Sequence, residues 1–536
     1  MIIYSVSRII VFLTLSTICC LADLPCAYRQ GDKPDRLVCV CNATYCDTID
    51  RVPPPEDSYI TYTTSKAGSR FLKGIGRIAD SVEGGNYGRV IQLYPNERYQ
   101  TIHGFGGAAT DAAGIKWKSL PEGAQDKFIE SYFSKHGIEY TMIRVPVASS
   151  DFSTHPYYYN EYPENDKELT NFTYTKEDTE FKLPLIKGAM EVATDEISVV
   201  AAVWSPPRWM KKLDPGSKAS RLKPEFYQTF AKYHCEFVKL YEKAGVPIWG
   251  MSTSNEPIDG TFTQAGFGPQ DTMGWSVEQM KKWLKNNFGP TMRNCNGKKI
   301  NILAMDDQRY LLPVWNFVIV AKDKEISNYV DGFAIHSYFD PYTPASIIDM
   351  NMKNFPDKFV LGTEFCTTGS DSTVPLGDWG EGEVYAETIL ENLATNYVGF
   401  IDWNLALDPD GGPNWAKNFV DAAIIINSTS GEFYKQPKFY VLGHFSKLIP
   451  RWSQRIKSVR QSPINYTPDE KNIYDSSPPR KYIYDHVAFV TTRNTIVVVI
   501  ANYDEAQNAA IMFGSKQVTV FLEANSIVSV EFPYSF

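Results

Sequence analysis

Between residues 100 and 445 short apolar runs recur along the chain: "YQTIHGFGGAAT", "YTMIRVPVAS", "ISVVAAVW", "PIWGMSTSNEP", "INILAMDD", "YVDGFAIHSY", "KFVLGTEFC" and "VGFIDWNLAL". Each is short, rich in Val, Ile and Phe, and bounded by turn residues, as buried strands are. Segments with helical spacing separate them. In 222–244 Phe226, Phe230, Tyr233, Phe237 and Leu240 fall at three- and four-residue steps, the apolar stripe of a helix. Strands apolar on both faces, alternating with helices, predict a parallel sheet. Eight such units fit a (β/α)8 TIM barrel, with an open doubly wound sheet as the alternative. The C-terminus follows another pattern. Residues 486–503 predict two strands around "TRN", and 517–532 predict a hairpin around "EAN". This is an accessory antiparallel β-sandwich domain, and strand-like pieces in 50–100 are expected to pair with it.

The first residues, with Arg8 ahead of an apolar run from Ile9 to Leu21 and small Ala22, predict a signal peptide over 1–22. The expected order is then a small lobe at 23–50, strands at 51–100, the barrel at 101–447 and the β domain at 448–536. Losing Arg8 with the leader moves the net charge from -9 to -10, which gives no basic surface for nucleic acid. Of the nine cysteines, Cys26, Cys39, Cys41 and Cys46 crowd together, which in an oxidising compartment reads as two disulfides stapling a small lobe. The spacing lacks paired C-x-x-C and no His is near, so a zinc site is the weaker reading. Cys235, Cys295 and Cys366, an odd set, are expected to be reduced and buried. Sequons stand at Asn42, Asn171, Asn427 and Asn465, which behind a leader predicts glycosylation.

Chemistry in a barrel sits at the C-terminal ends of the strands. Those ends here carry Arg144, Trp204, Asn255, Glu256, Asp306, Asp307, His336, Tyr338, Glu364, Trp403 and Asn404. Glu256 ends the fourth run, where Pro257 stops regular structure, and Glu364 ends the seventh. Two facing carboxylates suit glycoside hydrolysis, with a gap of roughly 5–5.5 Å for retention and roughly 6.5–9.5 Å for inversion. Salt bridges at the rim are the competing use. Aromatics at 14% suit a large core and also sugar stacking.

"NEP" and "TEFC", 108 residues apart, resemble the retaining barrel glycosidases. "CVCNATYC", "IRVP", "DDQRYLLPVW", "LDPDGGPNWAKNFVDAAIII" and "FYKQPKFYVLGHFSK" resemble more closely the glucosylceramidases of glycoside hydrolase family thirty, over nearly the whole chain from Cys26. The resemblance implies a retaining β-glucosidase acting on glucosylceramide in lumenal membranes of the lysosome. It implies no cofactor, and as partners anionic lipid and a saposin-type activator protein. It assigns Glu256 as acid/base and Glu364 as nucleophile. Asn255 would contact the sugar 2-hydroxyl, and Asp151 and Trp204 would hold sugar hydroxyls. Trp403 and Asn418 would close the other side of the pocket. Tyr338 and Arg144 would stand beside the carboxylates, and the bridges would be Cys26–Cys39 and Cys41–Cys46. A nearby negative charge would keep Glu256 protonated until glucosylation neutralises Glu364. The chain departs from the family in the loop after "NEP", where Phe262 and Phe267 would replace the family's entrance aromatics. It departs again in the loop after Glu364, and in 461–485, which is longer and more polar.

Rival readings attach to several of these residues. Asp306 and Asp307 suggest an internal salt bridge before a metal, and His336 a structural histidine. Cys366 reads as a buried small hydrophobe rather than a nucleophile. Gly104, Gly106 and Ala109 fit a loose G-x-G-x-x-[GA] pattern for a dinucleotide. A non-catalytic lipid- or sugar-binding homologue and a glycosidase for xylan or β-1,6-glucan also compete with the glucosylceramide reading.

Overall fold

The computed structural model describes residues 23–81, 85, 87–213, 220–258, 271–315, 319–320, 323–369, 372–461 and 485–534. The leader, Phe262 and Phe267, Asn465 and nearly all of 461–485 lie outside the described residues.

The eight apolar runs close into one parallel barrel. Its strands are β1 (Gly104–Ala108), β2 (Met142–Val147), β3 (Ser198–Val203), β4 (Ile248–Ser252), β5 (Asn301–Gln308), β6 (Gly332–His336), β7 (Phe359–Glu364) and β8 (Tyr397–Asn404). Met142, Val200, Leu303, Ala334, Leu361, Val398 and Ile401 fill the interior. Alternate residues face outward and meet the helices, as period-two strands require. The Tyr227–Lys243 helix turns Phe230, Tyr233 and Phe237, all at 0% exposure, onto the barrel side. The glycines that suggested a dinucleotide loop lie within β1, where a Cβ on Gly106 would overlap the Met142 carbonyl oxygen. They let β1 approach β2 rather than cradle a phosphate.

The β domain is one ten-stranded sheet folded over its own core. Its two ends, Leu72–Arg77 and Ala79–Asp80, are consecutive in sequence, so one stretch of chain runs along both edges of the fold. Ser58–Ser65 and Arg89–Thr101 join strands of the C-terminal segment in this sheet. His486–Val490 and Thr495–Asn502 pair as an antiparallel hairpin, as expected. The expected hairpin around "EAN" does not form. Lys516–Leu522 pairs with Gln507–Phe513, while Ser526–Pro533 pairs with Thr495–Asn502 and Ser58–Ser65. The turn carries the chain from one half of the fold to the other. Its carbonyl at Glu523 accepts from the Asn502 side-chain amide as well as from Ser526 within the turn, and the Asn525 amide donates to the Asp504 carbonyl, so it is also anchored sideways.

The N-terminal lobe carries the two bridges implied by the resemblance, Cys26–Cys39 and Cys41–Cys46. It is not freestanding. Leu37–Cys41 adds to Glu432–Lys435, and the buried Lys435 amine binds Asp47 at 3.0 Å. The reading of two of the other three cysteines is corrected. Cys235 is bridged to Cys295, while Cys366 is free and buried as expected, alone in this among the described residues. The helices after β3 and β4 are neighbours around the barrel, which brings together residues 60 apart in sequence. No helix of the described residues is long and apolar enough to cross a membrane.

Candidate active site

Glu364 is the last residue of β7 and is 6% exposed. Arg144, from the middle of β2, donates to its Oε2, and the Tyr338 hydroxyl donates to its Oε1 at 2.8 Å. Arg144 also reaches Asn255 Oδ1 at 2.7 Å and Asp306 Oδ2 at 3.0 Å. Its guanidinium carbon lies 5.0 Å from the Trp204 ring and 5.3 Å from the Trp403 ring. A buried cation and a hydroxyl thus hold the two oxygens of one carboxylate.

Glu256 follows β4 in a left-handed backbone conformation, φ 35°. Its amide is held by the Asp306 carbonyl at 2.9 Å. Its Oε1 meets His336 Nδ1 at 2.7 Å and Gln308 Nε2 at 3.1 Å. The other ring nitrogen, His336 Nε2, meets Asp306 Oδ1 at 3.1 Å. Burial opposes a charge on this imidazole, but Glu364, Asp306 and Glu256 outweigh it and hold its pKa well above the usual value. Asp306 is buried too, yet Arg144 and His336 hold it well below the usual carboxylate range. The internal salt bridge expected of "DDQR" is thus Arg144–Asp306.

Carboxylate oxygens of Glu256 and Glu364 and a nitrogen of His336 all lie within 4.8 Å of one another. Such closeness suits direct attack by one carboxylate, as a retaining mechanism requires. The same donor set has the types and closeness a metal would need, but hydrogen bonds with Arg144, Tyr338 and Asp306 already engage it. In the Cys41, Cys46 and Asp47 group the sulfurs are tied in a disulfide.

Asp151 stands in the loop after β2, 5% exposed. Its Oδ2 accepts from Asn418 at 3.3 Å and from Asn414 at 3.4 Å. Burial, helped by Glu364, pushes its carboxyl up to about 7. Trp415 stitches the two loops together, through its indole to the Ser150 carbonyl at 2.7 Å and its amide to the Asp151 and Ser153 carbonyls. Trp204 and Trp403 do not face each other across the pocket. Their rings stack at 5.4 Å and 18°, forming one wall under Arg144. The buried Cys366 thiol, 3.6 Å from the Tyr338 hydroxyl, is pushed up by burial and is no thiolate nucleophile.

The fold thus brings together Arg144, Asn255, Glu256, Tyr338 and Glu364, with Asp151, Trp204, Trp403 and Asn418 beside them. Sequence reasoning missed the contact of His336 with Glu256, and also Gln308 and Asn414. His336 and Gln308 each lie at the end of a barrel strand, which is the signal that could have found them. Asn414 lies in a loop with no pattern of its own.

The barrel, residues 102–449, matches the glycosyl hydrolase family 30 TIM-barrel domain, and residues 476–530 match the family 30 beta sandwich domain. This chain belongs to glycosyl hydrolase family 30. As a family 30 chain it is a glycoside hydrolase. It is 39% identical over 431 residues to the lysosomal acid glucosylceramidase of Mus musculus, a match covering 79% of this chain and 82% of the mouse protein. Two solved structures share the fold. SrfJ from Salmonella typhimurium has a TM-score of 0.77 at 22% identity, covering 89% of this chain and 100% of its own. The endo-β1,6-glucanase BT3312 has a TM-score of 0.72 at 24% identity, with the same coverage.

Proposed function

We propose that this family 30 chain is a retaining β-glucosidase that hydrolyses glucosylceramide to glucose and ceramide. The observation that carries the mechanism is the pair of carboxylates within 4.8 Å, one gripped by Arg144 and Tyr338, the other by His336 and Gln308. Glu364, with a cation and a hydroxyl on it, is the nucleophile. Its oxygen bonds to the anomeric carbon as the bond to the ceramide oxygen breaks, and Glu256 gives that oxygen its proton. Glu256, now ionised, takes a proton from water as the water attacks the anomeric carbon and the bond to Glu364 breaks. Two inversions return the β configuration.

Asn255 sits against Arg144 where it reaches the sugar 2-hydroxyl. Asp151, with Oδ2 held by two asparagine amides, presents its other oxygen to hydroxyls on the far side of the ring. The stacked Trp204 and Trp403 supply the apolar wall, and Asn418 the rim. The ceramide choice rests on the mouse relative and the long shared motifs, which also support a lysosomal lumenal location reached by a cleaved leader. Asn42, Asn171 and Asn427, none of them buried, and Asn465 are the proposed glycosylation sites, and anionic lipid and a saposin-type activator the proposed partners.

The test is glucosylceramide in anionic vesicles and in detergent micelles at about pH 5, a choice near the raised pKa of a glycosidase acid. Ceramide release is followed by mass spectrometry, and the first-formed glucose anomer by proton NMR on an aryl β-glucoside. Ceramide release and β-glucose formed first are expected. α-Glucose formed first, or aryl glucoside cleavage without ceramide release, overturns the mechanism or the substrate respectively.

A further inference from the structure

In β5 the strand alternation breaks at one point. Leu303 faces the barrel interior and Ala304 the outer core. Strict alternation would then put Met305 inside and Asp306 outside. A bulge intervenes between Met305 and Asp307, so that Met305 and Asp306 together stand against Ala334 of β6. Both bulge residues have left-handed backbone, φ 78° and 56°, which is uncommon for side chains other than glycine and clusters at functional sites. Met305 is turned into the outer core and Asp306 into the barrel. The phase then resumes, with Gln308 level with His336.

Asp306 is thereby placed between the two glutamates and tied to both. Towards Glu364 its Oδ2 binds Arg144, whose other nitrogen holds the Glu364 carboxylate. Towards Glu256 its Oδ1 binds His336, whose far nitrogen holds the Glu256 carboxylate, while its carbonyl accepts from the Glu256 amide. Thr363 donates to Oδ1 at 2.7 Å. The charged or titratable groups facing the Asp306 carboxylate are thus Arg144 from β2 and His336 from β6. Glu256 and Glu364 stand behind them. Those facing His336 are Asp306, Glu256 and, at 3.9 Å, Glu364.

We propose that Asp306, aimed inward by the bulge at Met305, is a positioning residue that acts on the two glutamates through Arg144 and His336 and narrows the pH range over which Glu364 is ionised while Glu256 is protonated. Its negative charge divides Arg144 between two anions and keeps a proton on His336. This rests on the retaining β-glucosidase reading. It assigns Asp306 no contact with substrate.

Asp306→Asn keeps the shape and removes the charge. Arg144 is then left to Glu364, which stays ionised to lower pH. His336 loses its anionic partner and charges less readily, so Glu256 keeps its proton to higher pH. The kcat/KM profile against pH on an aryl β-glucoside therefore broadens, each limb moving outward by about one unit, the effect of one nearby charge. A residue that only held the fold would lower kcat/KM or the melting temperature with both limbs in place. Asp306→Ser, which removes the charge and leaves room for water, is expected to broaden the profile in the same sense. Unmoved limbs, limbs moving the same way, or failure of both variants to fold would overturn the proposal. A wild-type protein that cleaves no β-glucoside fails the underlying reading instead, before Asp306 is tested.

Discussion

The Tyr338 hydroxyl donates to one oxygen of Glu364 at 2.8 Å, and Arg144 takes the other. The carboxylate is therefore held at both oxygens and aimed. Burial, with Glu364 and Glu256 nearby, keeps the phenol pKa far above its ordinary value, so the hydroxyl is a donor across the working pH range. Tyr338→Phe removes one hydrogen bond to a charged group, worth about 1.5–3 kcal/mol. A fall of about 10- to 100-fold in kcat is expected, measured by steady-state kinetics on an aryl β-glucoside. An unchanged kcat would mean that Arg144 alone positions the nucleophile.

Asp151 offers the pocket one free carboxylate oxygen, because Asn414 and Asn418 take the other. Its contacts to the sugar form on binding, so Asp151→Asn should weaken kcat/KM by roughly 10- to 100-fold, chiefly through KM. Burial raises the wild-type carboxyl to about 7, so the KM of the wild type should change near neutral pH. That inflection should vanish in the variant, as KM measured from pH 4 to pH 8 would show.

Asp402, behind Trp403 on β8, accepts from Tyr385 at 2.7 Å and from the Trp403 amide at 3.0 Å. Burial raises its carboxyl from 3.8 to about 7. The folded chain thus keeps a proton that the unfolded chain releases, and stability falls as pH rises from about 4 through 7. Asn accepts the same two hydrogen bonds and cannot ionise. Asp402→Asn should match the wild type near pH 4 and exceed it by on the order of 4 kcal/mol at pH 8. Melting curves at the two pH values check this; a difference independent of pH would contradict it.

The Cys235–Cys295 bridge closes a loop of 60 residues and touches none of the residues that hold the two carboxylates. Cys235→Ser should cost about 2–4 kcal/mol and leave kcat within about twofold at 25 °C. Thermal unfolding with and without reductant tests both statements. A variant that melts with the wild type would show the bridge to be idle.

The barrel was legible in the sequence because parallel strands buried on both faces leave long apolar runs, and all eight of them became strands. Glu256 and Glu364 were legible because each ends such a run. What stayed hidden depends on geometry that no local pattern encodes. The bridge between Cys235 and Cys295 needs two helices to be neighbours. The "EAN" turn has hairpin chemistry, and the choice between hairpin and crossover is made by the distant strands at Ser58–Ser65 and Gln507–Phe513. His336 read as structural because retaining chemistry needs no histidine, yet it spans Glu256 and Asp306. The inward turn of Asp306 comes from a single bulged position in a strand whose composition is ordinary.

The account stands on Glu364 as the nucleophile of a glucose-binding site. The most direct measurement is to incubate the folded protein at about pH 5, near the raised pKa of a glycosidase acid, with a β-glucose-configured epoxide inactivator. The mass shift is then located by peptide mass spectrometry. One glucose-sized adduct on Glu364, absent from Glu364→Gln, is predicted. An adduct on Glu256 instead, or none while a xylose-configured probe labels the protein, would contradict it.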